Sequence, residues 1–370
     1  MFLTDDFRSI VLNETALLDV RAPVEFTKGA FVNATNIAIL NDKHRELIGT
    51  KYKEQGNAAA VELAQELIGQ EGKDERIEKW KKYLQKNPKA LLYCFRGGQR
   101  SGISQSWLDE IGTNITRLKG GYKAFRTFLM DETLRISKEV NTIIIGGRTG
   151  CGKTILIEKL DNAIDLEKLA NHRGSTFGGF SNEQPSQINF ENNLAYALIQ
   201  FEEKNKKNLI IEHESHNIGR SFIPVQVYDN LMNGKLIILE APLERRVDII
   251  FKDYIINSLS EYQQKYQENS ITIWSETIIN SLKKVQRKLG GLLYTELKTI
   301  FENAFSEHMN NSNLEGYKYL IEKLLVEYYD PMYDYQLQKT AIEIVFRGNA
   351  FEIKNYLKKG SSGGAIHPCE

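Results

Sequence analysis

Two glycine-containing loops, each placed directly after a short apolar run, are the features that most constrain the fold of this chain. The first loop, residues 94–101, reads CFRGGQRS and follows the apolar run 90–93. The second loop, residues 147–154, reads GRTGCGKT and follows the run 142–145. An apolar run, a glycine loop and a helical pattern, in that order, are typical of parallel α/β sheets. The 370-residue chain is therefore predicted to contain two α/β domains.

Composition excludes several classes of protein. Basic and acidic residues number 48 each, so nucleic-acid binding would require a local patch rather than bulk positive charge. No apolar run approaches the ~20 residues that span a bilayer, and the first residues lack the pattern of a signal peptide. Three cysteines do not make a disulfide framework. We expect a cytoplasmic protein without membrane contact, in which Cys94 is a free thiol.

Residues 1–138 are predicted to form the first α/β domain. Short apolar runs at 17–21 and 90–93 suit buried parallel strands, and residues 58–80 have a charged helical pattern. The second predicted domain, residues 139–358, begins with a predicted strand, a glycine loop and a predicted helix. The pattern of residues 242–357 is helical throughout.

Two further strands are predicted for the second sheet, at 209–211 and 236–239. Residues 359–370 contain a Gly/Ser-rich segment and are expected to be a disordered tail or a vector-derived remnant. His367 and Cys369 fall in this tail, so we exclude them from the chemistry. The fold class is thus an α/β N-terminal domain followed by a P-loop α/β domain with a helical C-terminal part.

The first loop has the spacing of a reactive cysteine. Gly97 and Gly98 let the backbone curl so that successive N–H groups point inward. A helix predicted over 101–111 would direct its positive end at the sulfur, and two arginines add charge. These effects favour the thiolate of Cys94 over the thiol. The alternative is a buried structural cysteine in a glycine-containing turn. The predicted catalytic residue is Cys94, and the active-loop residues are Arg96, Gly97, Gly98, Gln99, Arg100 and Ser101.

The second loop is a complete Walker A pattern between a predicted strand and helix. Its backbone amides would surround phosphate groups, Lys153 would neutralise them, and Thr154 could reach a Mg²⁺ ion. Cys151 suits the loop as a small residue, the alternative being a redox or relay partner for Cys94. The predicted phosphate-binding residues are Gly147, Thr149, Gly150, Gly152, Lys153 and Thr154.

Charged residues after two predicted strands are candidates for the same site. Glu212 and Glu214 follow the strand 209–211, where either could hold a metal or orient a nucleophile, or lie in solvent. Arg245 and Arg246 could reach over bound phosphates as a lid, or form surface ion pairs. The presence and identity of a metal are left open.

The first 130 residues resemble the rhodanese domain. The segments that carry the resemblance are LLDVRAPVEF at 17–26, KGA at 28–30 and ATNI at 34–37. The resemblance implies that Asp19 and Arg21 support the active loop, and that sulfur or selenium is carried on the cysteine. A related branch of phosphatases also uses Cys-x5-Arg.

The order of the two loops resembles the tRNA 2-selenouridine synthase family. Segments across residues 15–340 strengthen the match, and they lie at 41–45, 49–56, 169–178, 184–192, 214–219, 288–291 and 328–333. Four residues of these segments, His172, Arg173, Ser175 and Glu214, are predicted to support the active site. Arg246, which follows the predicted strand 236–239, is predicted to support it as well.

The resemblance implies an enzyme that replaces the sulfur of 2-thiouridine at the tRNA wobble position with selenium. Selenophosphate would donate the selenium, and a geranyl group transferred from geranyl diphosphate would make the sulfur a better leaving group. Its partner would be tRNA, with a selenophosphate-supplying enzyme as a further partner. Mg²⁺ could assist at the phosphate loop. The oligomeric state is not predicted.

Other interpretations are a P-loop ATPase or kinase regulated by a rhodanese-like module, a sulfurtransferase with another substrate, and a phosphatase. A scaffold with an inactive rhodanese module is opposed by the intact Cys94 loop. A tRNA contact could use basic residues and four tyrosines, Tyr328, Tyr329, Tyr333 and Tyr335, or those rings could pack the helical part.

Overall fold

A computed structural model describes residues 2–179 and 182–361 of the chain. Contacts divide the chain into two units, which we call the first unit (1–136 with 186–204) and the second unit (137–185 with 205–370). Residues 186–204 follow the phosphate loop in sequence, yet they belong with the N-terminal sheet. The predicted continuous domain 139–358 did not anticipate that grouping.

The strands, in chain order, are β1 (Phe2–Thr4), β2 (Leu17–Asp19), β3 (Ala34–Asn36), β4 (Leu91–Tyr93), β5 (Thr116–Leu118), β6 (Asn141–Gly146), β7 (Ala163–Ile164), β8 (Asn208–Glu212), β9 (Asn217–Ile218), β10 (Ser221–Phe222), β11 (Lys235–Leu239) and β12 (Ile344–Gly348). β9 and β10 form a small antiparallel pair.

The helices are α1 (Phe7–Leu12), α2 (Pro23–Lys28), α3 (Asp42–Lys86), α4 (Gln99–Glu110), α5 (Gly121–Glu139), α6 (Lys153–Ile157), α7 (Leu166–Leu169), α8 (Gln187–Glu203), α9 (Val225–Leu231), α10 (Leu243–Ile250), α11 (Ser258–Tyr266), α12 (Ser270–Leu289), α13 (Gly291–Asn311), α14 (Gly316–Leu324), α15 (Asp330–Lys339) and α16 (Ala350–Ser361). Wider π-helical turns at Phe251–Asn257 and Leu325–Tyr329 join α10 to α11 and α14 to α15, and a 3₁₀ turn at Gln267–Asn269 precedes α12.

The first unit is built on a five-stranded, entirely parallel sheet with the order β1-β5-β4-β2-β3. Its strands are only three residues long, and β2 and β4 are almost fully buried, as expected for a parallel sheet covered by helices on both faces. Trp80, Leu92 and Leu108 belong to its core. Because β2 and β4 are neighbours, their carboxyl ends place the 94–101 loop beside residues that follow β2.

The second unit carries a second parallel sheet, with the order β12-β11-β6-β8-β7. β6 lies in the middle and leads directly into the phosphate loop. Its neighbours β8 and β11 are buried isoleucine- and leucine-rich strands. A helical part from α10 to α15 packs around Trp274, Phe301 and Tyr317. The predicted fold class, an α/β domain followed by a P-loop α/β domain with a helical part, is confirmed.

One part of the helical prediction for residues 242–357 is wrong. Residues 344–348 form β12, which extends the second sheet in parallel beside β11. The segment AIEIVFR has an alternating, β-branched and aromatic pattern, which favours a strand and which the longer helical periodicity around it obscured. α16 then continues to Ser361, and the remaining residues of the expected tail, with His367 and Cys369, lie outside the described residues.

Helix α3 is not one straight rod. Gly56 and Gly69 have φ angles of 80° and 62°, so the run consists of three helical segments that change direction at these glycines. Within the described residues, no helix is long and apolar enough to cross a membrane.

Candidate active sites

Cys94 directly follows β4 and is buried, with 3% of its surface exposed. Its Sγ lies 3.1 Å from Oγ of Ser101, in the first turn of α4. The Ser101 hydroxyl also donates to the carbonyl oxygen of Gly98 at 3.1 Å. A hydroxyl has one proton, so Ser101 accepts from the Cys94 thiol while it donates to Gly98, and it can donate to a thiolate when that proton turns from Gly98 to the sulfur. Ser101 was predicted as part of the loop, and its contact with the sulfur gives it a specific role.

Glycines on both sides allow the chain to close tightly around Cys94. Gly97 has φ 66°, and a β-carbon there would lie 2.8 Å from the carbonyl oxygen of Leu118. Gly121, at the start of α5, would bring a β-carbon into the backbone of Cys94 and Gly97. The N–H of Tyr122 donates to the carbonyl oxygen of Cys94 at 2.9 Å. Sequence reasoning identified Gly97 but missed Gly121, although the Gly-Gly pair 120–121 was a visible signal.

The two arginines of the cysteine loop differ in their surroundings. Arg100 forms a bidentate pair with Glu25, with Nη1–Oε2 and Nη2–Oε1 distances of 2.5 and 3.1 Å. Glu25 also lies 3.2 Å from Nε of Arg45. Burial raises the pKa of Glu25, but Arg100 and Arg45 outweigh it and hold this pKa below its usual range. Arg96 is exposed. Arg100 therefore shares its charge with a carboxylate that the sequence analysis did not consider.

Asp19 and Arg21 form a buried ion pair at the end of β2. The two guanidinium nitrogens Nε and Nη2 lie 2.6–3.0 Å from the Asp19 carboxylate, and Nη2 also donates to the carbonyl oxygen of Gly29. The guanidinium carbon lies 4.0 Å from the ring centroid of Tyr122, whose N–H is bonded to Cys94. Burial lowers the pKa of Arg21, but Asp19 raises it more, so the guanidinium stays charged. This arrangement places both residues behind the cysteine loop.

The phosphate loop runs from β6 into α6. Gly150 and Gly152 have φ angles of 79° and 91°, which favour glycine, and α6 begins at Lys153. The Nζ of Lys153 donates to the carbonyl oxygen of Gly147 at 3.3 Å. Thr154 is half-buried in the first turn of the helix. A glycine loop that ends in a helix N-terminus is a general anion-binding arrangement.

Close packing explains the other glycine of the loop and the adjacent cysteine. A β-carbon on Gly147 would lie 2.5 Å from the carbonyl oxygen of Leu239 and 2.6 Å from Sγ of Cys151. Cys151 is 5% exposed, and burial raises the pKa of its thiol. A relay cysteine needs the thiolate, which burial disfavours here, so these surroundings favour Cys151 as a small packing residue.

Arg246 supports the phosphate loop from α10. Its Nε donates to the carbonyl oxygen of Thr149 at 2.9 Å, and its Nη1 and Nη2 contact Asp330 at 2.8 and 2.5 Å. The Arg246 side chain is 3% exposed, so it is occupied within the fold rather than extended over phosphates as the lid hypothesis expected. Arg148, in the loop itself, pairs with Asp334 at 2.6 Å. Asp330 begins α15 and belongs to the segment 328–333 that carried part of the resemblance.

A group of one buried and two half-buried carboxyls lies near Lys153. Glu212, at the end of β8, is fully buried; its Oε2 accepts from the N–H of Glu167, and its Oε1 has no partner within the described residues. Burial, followed by the charge of Glu214, raises the pKa of Glu167 to about 8. Burial also raises the pKa of Glu214. Lys153 provides one positive charge beside these carboxyls, so burial and their mutual repulsion favour the retention of protons in this group.

Glu167 is a member of this group that sequence reasoning missed. Burial lowers the pKa of Lys153, but Cys151, Glu214 and Glu167 outweigh burial and raise it above its usual value. The signal for Glu167 was its position two residues before the segment 169–178. Among residues 2–179 and 182–361, no group of three or more His, Cys, Asp or Glu side chains is arranged to hold a metal ion.

Ion pairs and a hydrogen bond connect the segment with His172, Arg173 and Ser175 to the helical part. Arg173 pairs with Asp253 and Glu261 at 3.0 and 2.9 Å. Oγ of Ser175 lies 3.2 Å from the hydroxyl of Tyr254. His172 accepts, through Nδ1, the N–H of Gly174 at 3.1 Å. These contacts hold the segment in place.

Gly174 brings that segment against the carboxyl group. Its φ is 70°, and a β-carbon at this position would lie 3.2 Å from Oε2 of Glu214 and closer still to Glu167. The three supporting residues predicted around Gly174 therefore lie next to the predicted Glu214, although they make their own contacts with the helical part.

The four tyrosines considered for tRNA do not form a common exposed surface. Tyr329 is buried in the core of the helical part, and Tyr328 packs against that core. The ring of Tyr333 is half-buried, while Tyr335 is 57% exposed with Nζ of Lys339 at 4.1 Å from its centroid. The packing alternative is therefore correct for Tyr329, and only Tyr335 is largely exposed.

The fold and the two loops define a class of protein, an enzyme in which a rhodanese-type cysteine domain is joined to a P-loop domain. Family models agree: a rhodanese-like domain matches residues 4–127, and the tRNA 2-selenouridine synthase AAA domain matches residues 140–362. A tRNA 2-selenouridine synthase of Sulfurovum sp. is 50% identical over 96% of this chain and 98% of its own length. Those of Hydrogenovibrio crunogenus and Alcanivorax borkumensis are 44% and 42% identical, over 97% and 96% of this chain and 99% and 98% of their own. This chain belongs to the tRNA 2-selenouridine synthase family.

Membership confirms the resemblance inferred from the two loops and the segments between them. It also confirms that the chain is an enzyme of the transferase type that modifies tRNA. The interpretations as a scaffold with an inactive rhodanese module or as a regulated kinase are not supported by these relatives.

Proposed function

We propose that this enzyme converts wobble 2-thiouridine of tRNA into 2-selenouridine through an S-geranyl intermediate. The observation that carries the proposal is that one chain contains two different anion-binding loops, the cysteine loop around the thiol of Cys94 and the phosphate loop with Lys153. Geranyl diphosphate would be the substrate of the phosphate loop, and selenophosphate would be the source of selenium for Cys94. The cytoplasm, where tRNA is available and where the two free thiols of the described chain stay reduced, is the compartment we propose.

The phosphate loop suits the geranyl-transfer step. The sulfur of the base would bond to C1 of the geranyl chain while the bond from C1 to the diphosphate oxygen breaks. Developing charge on the diphosphate would be neutralised by Lys153 and by backbone N–H groups at the start of α6. Mg²⁺, where it takes part, would be held by the hydroxyl of Thr154, with most of its ligands coming from diphosphate and water, the usual arrangement for this ion.

The cysteine loop suits the selenium step. Selenium carried on Cys94 would bond to C2 of the base while the bond from C2 to sulfur breaks, and the sulfur would leave as geranyl thiolate. A cytoplasmic thiol would then bond to Sγ of Cys94 while the bond from Sγ to selenium breaks, which releases 2-selenouridine and leaves a mixed disulfide. The selenium of selenophosphate would reload Cys94 by displacing the thiol from this disulfide, and water would then take the phosphoryl group as phosphate. Ser101 would hold Sγ of Cys94, and the buried Asp19–Arg21 pair would keep the loop in shape behind it. An enzyme that supplies selenophosphate is a partner consistent with this step.

Omission of single substrates tests the proposed route. The purified enzyme is incubated with tRNA that carries 2-thiouridine, and the wobble nucleosides are identified by mass spectrometry. We expect 2-selenouridine only when geranyl diphosphate and selenophosphate are both present, and S-geranyl-2-thiouridine when selenophosphate is left out. Formation of 2-selenouridine without geranyl diphosphate would contradict the intermediate. Nucleotide hydrolysis without any change in tRNA would favour the ATPase alternative.

A further inference from the structure

A large cavity lies within the first unit beside the cysteine loop. Its volume is about 1020 Å³, and Phe95, Gln99 and Arg100 of the loop form part of its lining. Cavities that bind organic ligands usually have volumes of about 300–1,000 Å³, so this one is large enough for a substantial ligand. The rhodanese-type chemistry described above uses only the sulfur and its immediate surroundings. The rest of the space has no role in that chemistry.

One part of the cavity wall consists of apolar side chains. The first segment of α3 contributes Ile48, the second contributes Val61, Ala64 and Ile68, and α4 contributes Trp107. These side chains are only half-buried, so hydrocarbon surface faces the space instead of being covered by protein. Burying apolar surface that water would otherwise contact is favourable at roughly 25 cal/mol per Å². The wall therefore favours a hydrocarbon occupant.

The bend of α3 creates this wall. Because Gly56 has φ 80° and ψ −173°, the second segment, residues 57–68, takes a direction of its own after the first. Both segments contribute side chains to the same cavity. Gly56 separates the segment that carries Ile48 from the segment that carries Val61, so the change of direction there determines how the two segments share one lining.

The remaining part of the lining is positively charged. Five cationic side chains and two carboxylates line the cavity, and Arg45, Lys53 and Arg100 are among the cations. Arg21 is paired with Asp19, and both Arg45 and Arg100 contact Glu25. Lys28 and Lys53 are exposed to solvent, where they can meet an anion. An excess of cations attracts the phosphates of a nucleic-acid backbone. The cavity thus combines surfaces for a hydrocarbon chain and for neighbouring negative charge.

We propose that this cavity binds the geranyl chain of the S-geranyl-2-thiouridine of tRNA during the selenium step. The inference rests on the proposed function and names the site that holds the intermediate. The aliphatic side chains of α3 would contact the geranyl chain, and the cations would face adjacent backbone phosphates. Because Phe95, Gln99 and Arg100 of the cysteine loop line the same cavity, the thioether at the end of the chain would lie beside this loop. A geranyl chain has the same apolar chemistry when it is attached to diphosphate, so the test must separate these two sources.

Filling the cavity provides the test. Ala64→Trp places a large side chain in the lining, whereas Ala59→Trp introduces the same side chain at a half-buried position of the same segment outside the lining. Both variants are compared with the parent enzyme for selenation of an anticodon stem-loop that carries S-geranyl- or S-methyl-2-thiouridine. We expect Ala64→Trp to lower the geranyl-to-methyl ratio of kcat/KM by roughly 10- to 200-fold, the range seen when an apolar pocket loses one methylene of fit. Ala59→Trp should leave the ratio unchanged.

Each outcome has a defined meaning. An unchanged ratio in folded Ala64→Trp enzyme overturns the cavity proposal. A raised KM for geranyl diphosphate in the first step, with a normal ratio in the second, would show that the cavity serves the diphosphate and also overturns it. If the parent enzyme does not selenate the geranylated stem-loop at all, the proposed route fails instead.

A measurement on the unmutated enzyme covers the case in which Ala64→Trp does not fold. A stem-loop with a photoreactive S-prenyl group is bound and irradiated, and the crosslinked peptides are sequenced. We expect crosslinks to residues 57–68, competed by S-geranyl RNA and not by geranyl diphosphate. Crosslinks confined to peptides of the second unit would overturn the proposal.

Discussion

At the scale of single residues, the chemistry of the first unit depends on one sulfur and one hydroxyl. Cys94 and Ser101 are both buried, and their Sγ and Oγ atoms are 3.1 Å apart. Arg100, in contrast, is occupied by Glu25, so the charge that this arginine offers the sulfur is partly compensated. The protonation state of a half-buried residue in the second unit, Glu167, is also a single-residue property with a measurable consequence.

Replacement of the sulfur is the first test at this scale. Cys94→Ser is expected to abolish 2-selenouridine formation, with a rate loss of many orders of magnitude, because an essential nucleophile is removed. Geranyl transfer should continue, so S-geranyl-2-thiouridine should accumulate in the nucleoside mass spectrum. Cys151→Ala is the matched control and should form 2-selenouridine at a near-normal rate. Near-normal selenation by Cys94→Ser would show that another group carries selenium.

The second residue-scale prediction concerns Glu167 and pH. Its carboxyl has a pKa of about 8 in the folded protein, raised from an ordinary value of 4.5 by burial and then by Glu214. Between these two values the folded state retains a proton that the unfolded state releases, so the free energy of unfolding falls as pH rises from about 5 to 8. Glu167→Gln carries no such proton and should remove this contribution.

Melting temperatures at pH 5, 6.5 and 8 check this prediction. The relevant transition is the one that added pyrophosphate raises, since a ligand stabilises the unit that binds it. Glu167→Gln should be more stable than the parent at pH 8 by about 1–3 kcal/mol, with a smaller difference at pH 5. Glu158→Gln, at an exposed position directly after α6, is the control, and its melting temperatures should match those of the parent at each pH. An equal dependence of melting temperature on pH in Glu167→Gln and the parent would contradict the raised pKa of Glu167.

At the scale of elements, α15 and α10 hold the phosphate loop. Arg246 of α10 connects the carbonyl oxygen of Thr149 to Asp330 of α15, and Arg148 of the loop adds an exposed pair with Asp334. The two carboxylates are one helical turn apart, yet only Asp330 is largely buried. Their different exposure makes them a natural pair for comparison.

Asp330→Asn should weaken the phosphate loop far more than Asp334→Asn. Removing one partner of a buried pair leaves the Arg246 charge uncompensated, which costs about 3–5 kcal/mol. An exposed pair contributes about 0–1 kcal/mol, so Asp334→Asn should be nearly silent. The measurements are the melting temperature with and without pyrophosphate and the rate of geranyl transfer. Similar losses in both variants would show that the pairing with Arg246 does not support the loop.

At the scale of the whole molecule, the two units are expected to perform separate steps. Each unit has its own parallel sheet, and each glycine loop follows a strand within the interior of its sheet. Cys94 is therefore positioned by the first sheet, through β4, and Lys153 by the second sheet, through β6. A substitution that disables one loop should leave the other step intact when the appropriate intermediate is supplied.

Lys153→Ala tests this division of labour. Loss of a charge-assisted contact to phosphate costs roughly 2–4 kcal/mol, so geranyl transfer should fall about 30- to 1000-fold. Selenation of pre-geranylated tRNA should survive, because the cysteine loop is unchanged. The experiment supplies Lys153→Ala with pre-geranylated tRNA and selenophosphate, and measures 2-selenouridine. If this variant fails as badly there as with 2-thiouridine tRNA, the two loops act as one composite site.

The amino-acid sequence by itself determined the features that depend on local spacing. Glycines at 97, 150 and 152, with positive φ angles, and the apolar runs before them define two strand–loop–helix units, because backbone freedom and strand burial are decided within a few residues. Strands β2, β4, β8 and β11 were predicted within one or two residues for the same reason. The order of the two loops, together with the motif segments across residues 15–340, identified the family.

Only the tertiary structure decided which distant residues meet. The pairing of Arg246 with Asp330, the contact of Arg100 with Glu25 and the carboxyl group around Glu167 join residues far apart in the chain, and no local pattern encodes such distances. The grouping of residues 186–204 with the first sheet and the addition of β12 beside β11 are likewise choices of packing partner. The cavity of α3 exists because two segments turn at Gly56 and face one space. Side-chain burial and charge compensation are properties of the assembled core, so they follow from the fold rather than from any segment alone.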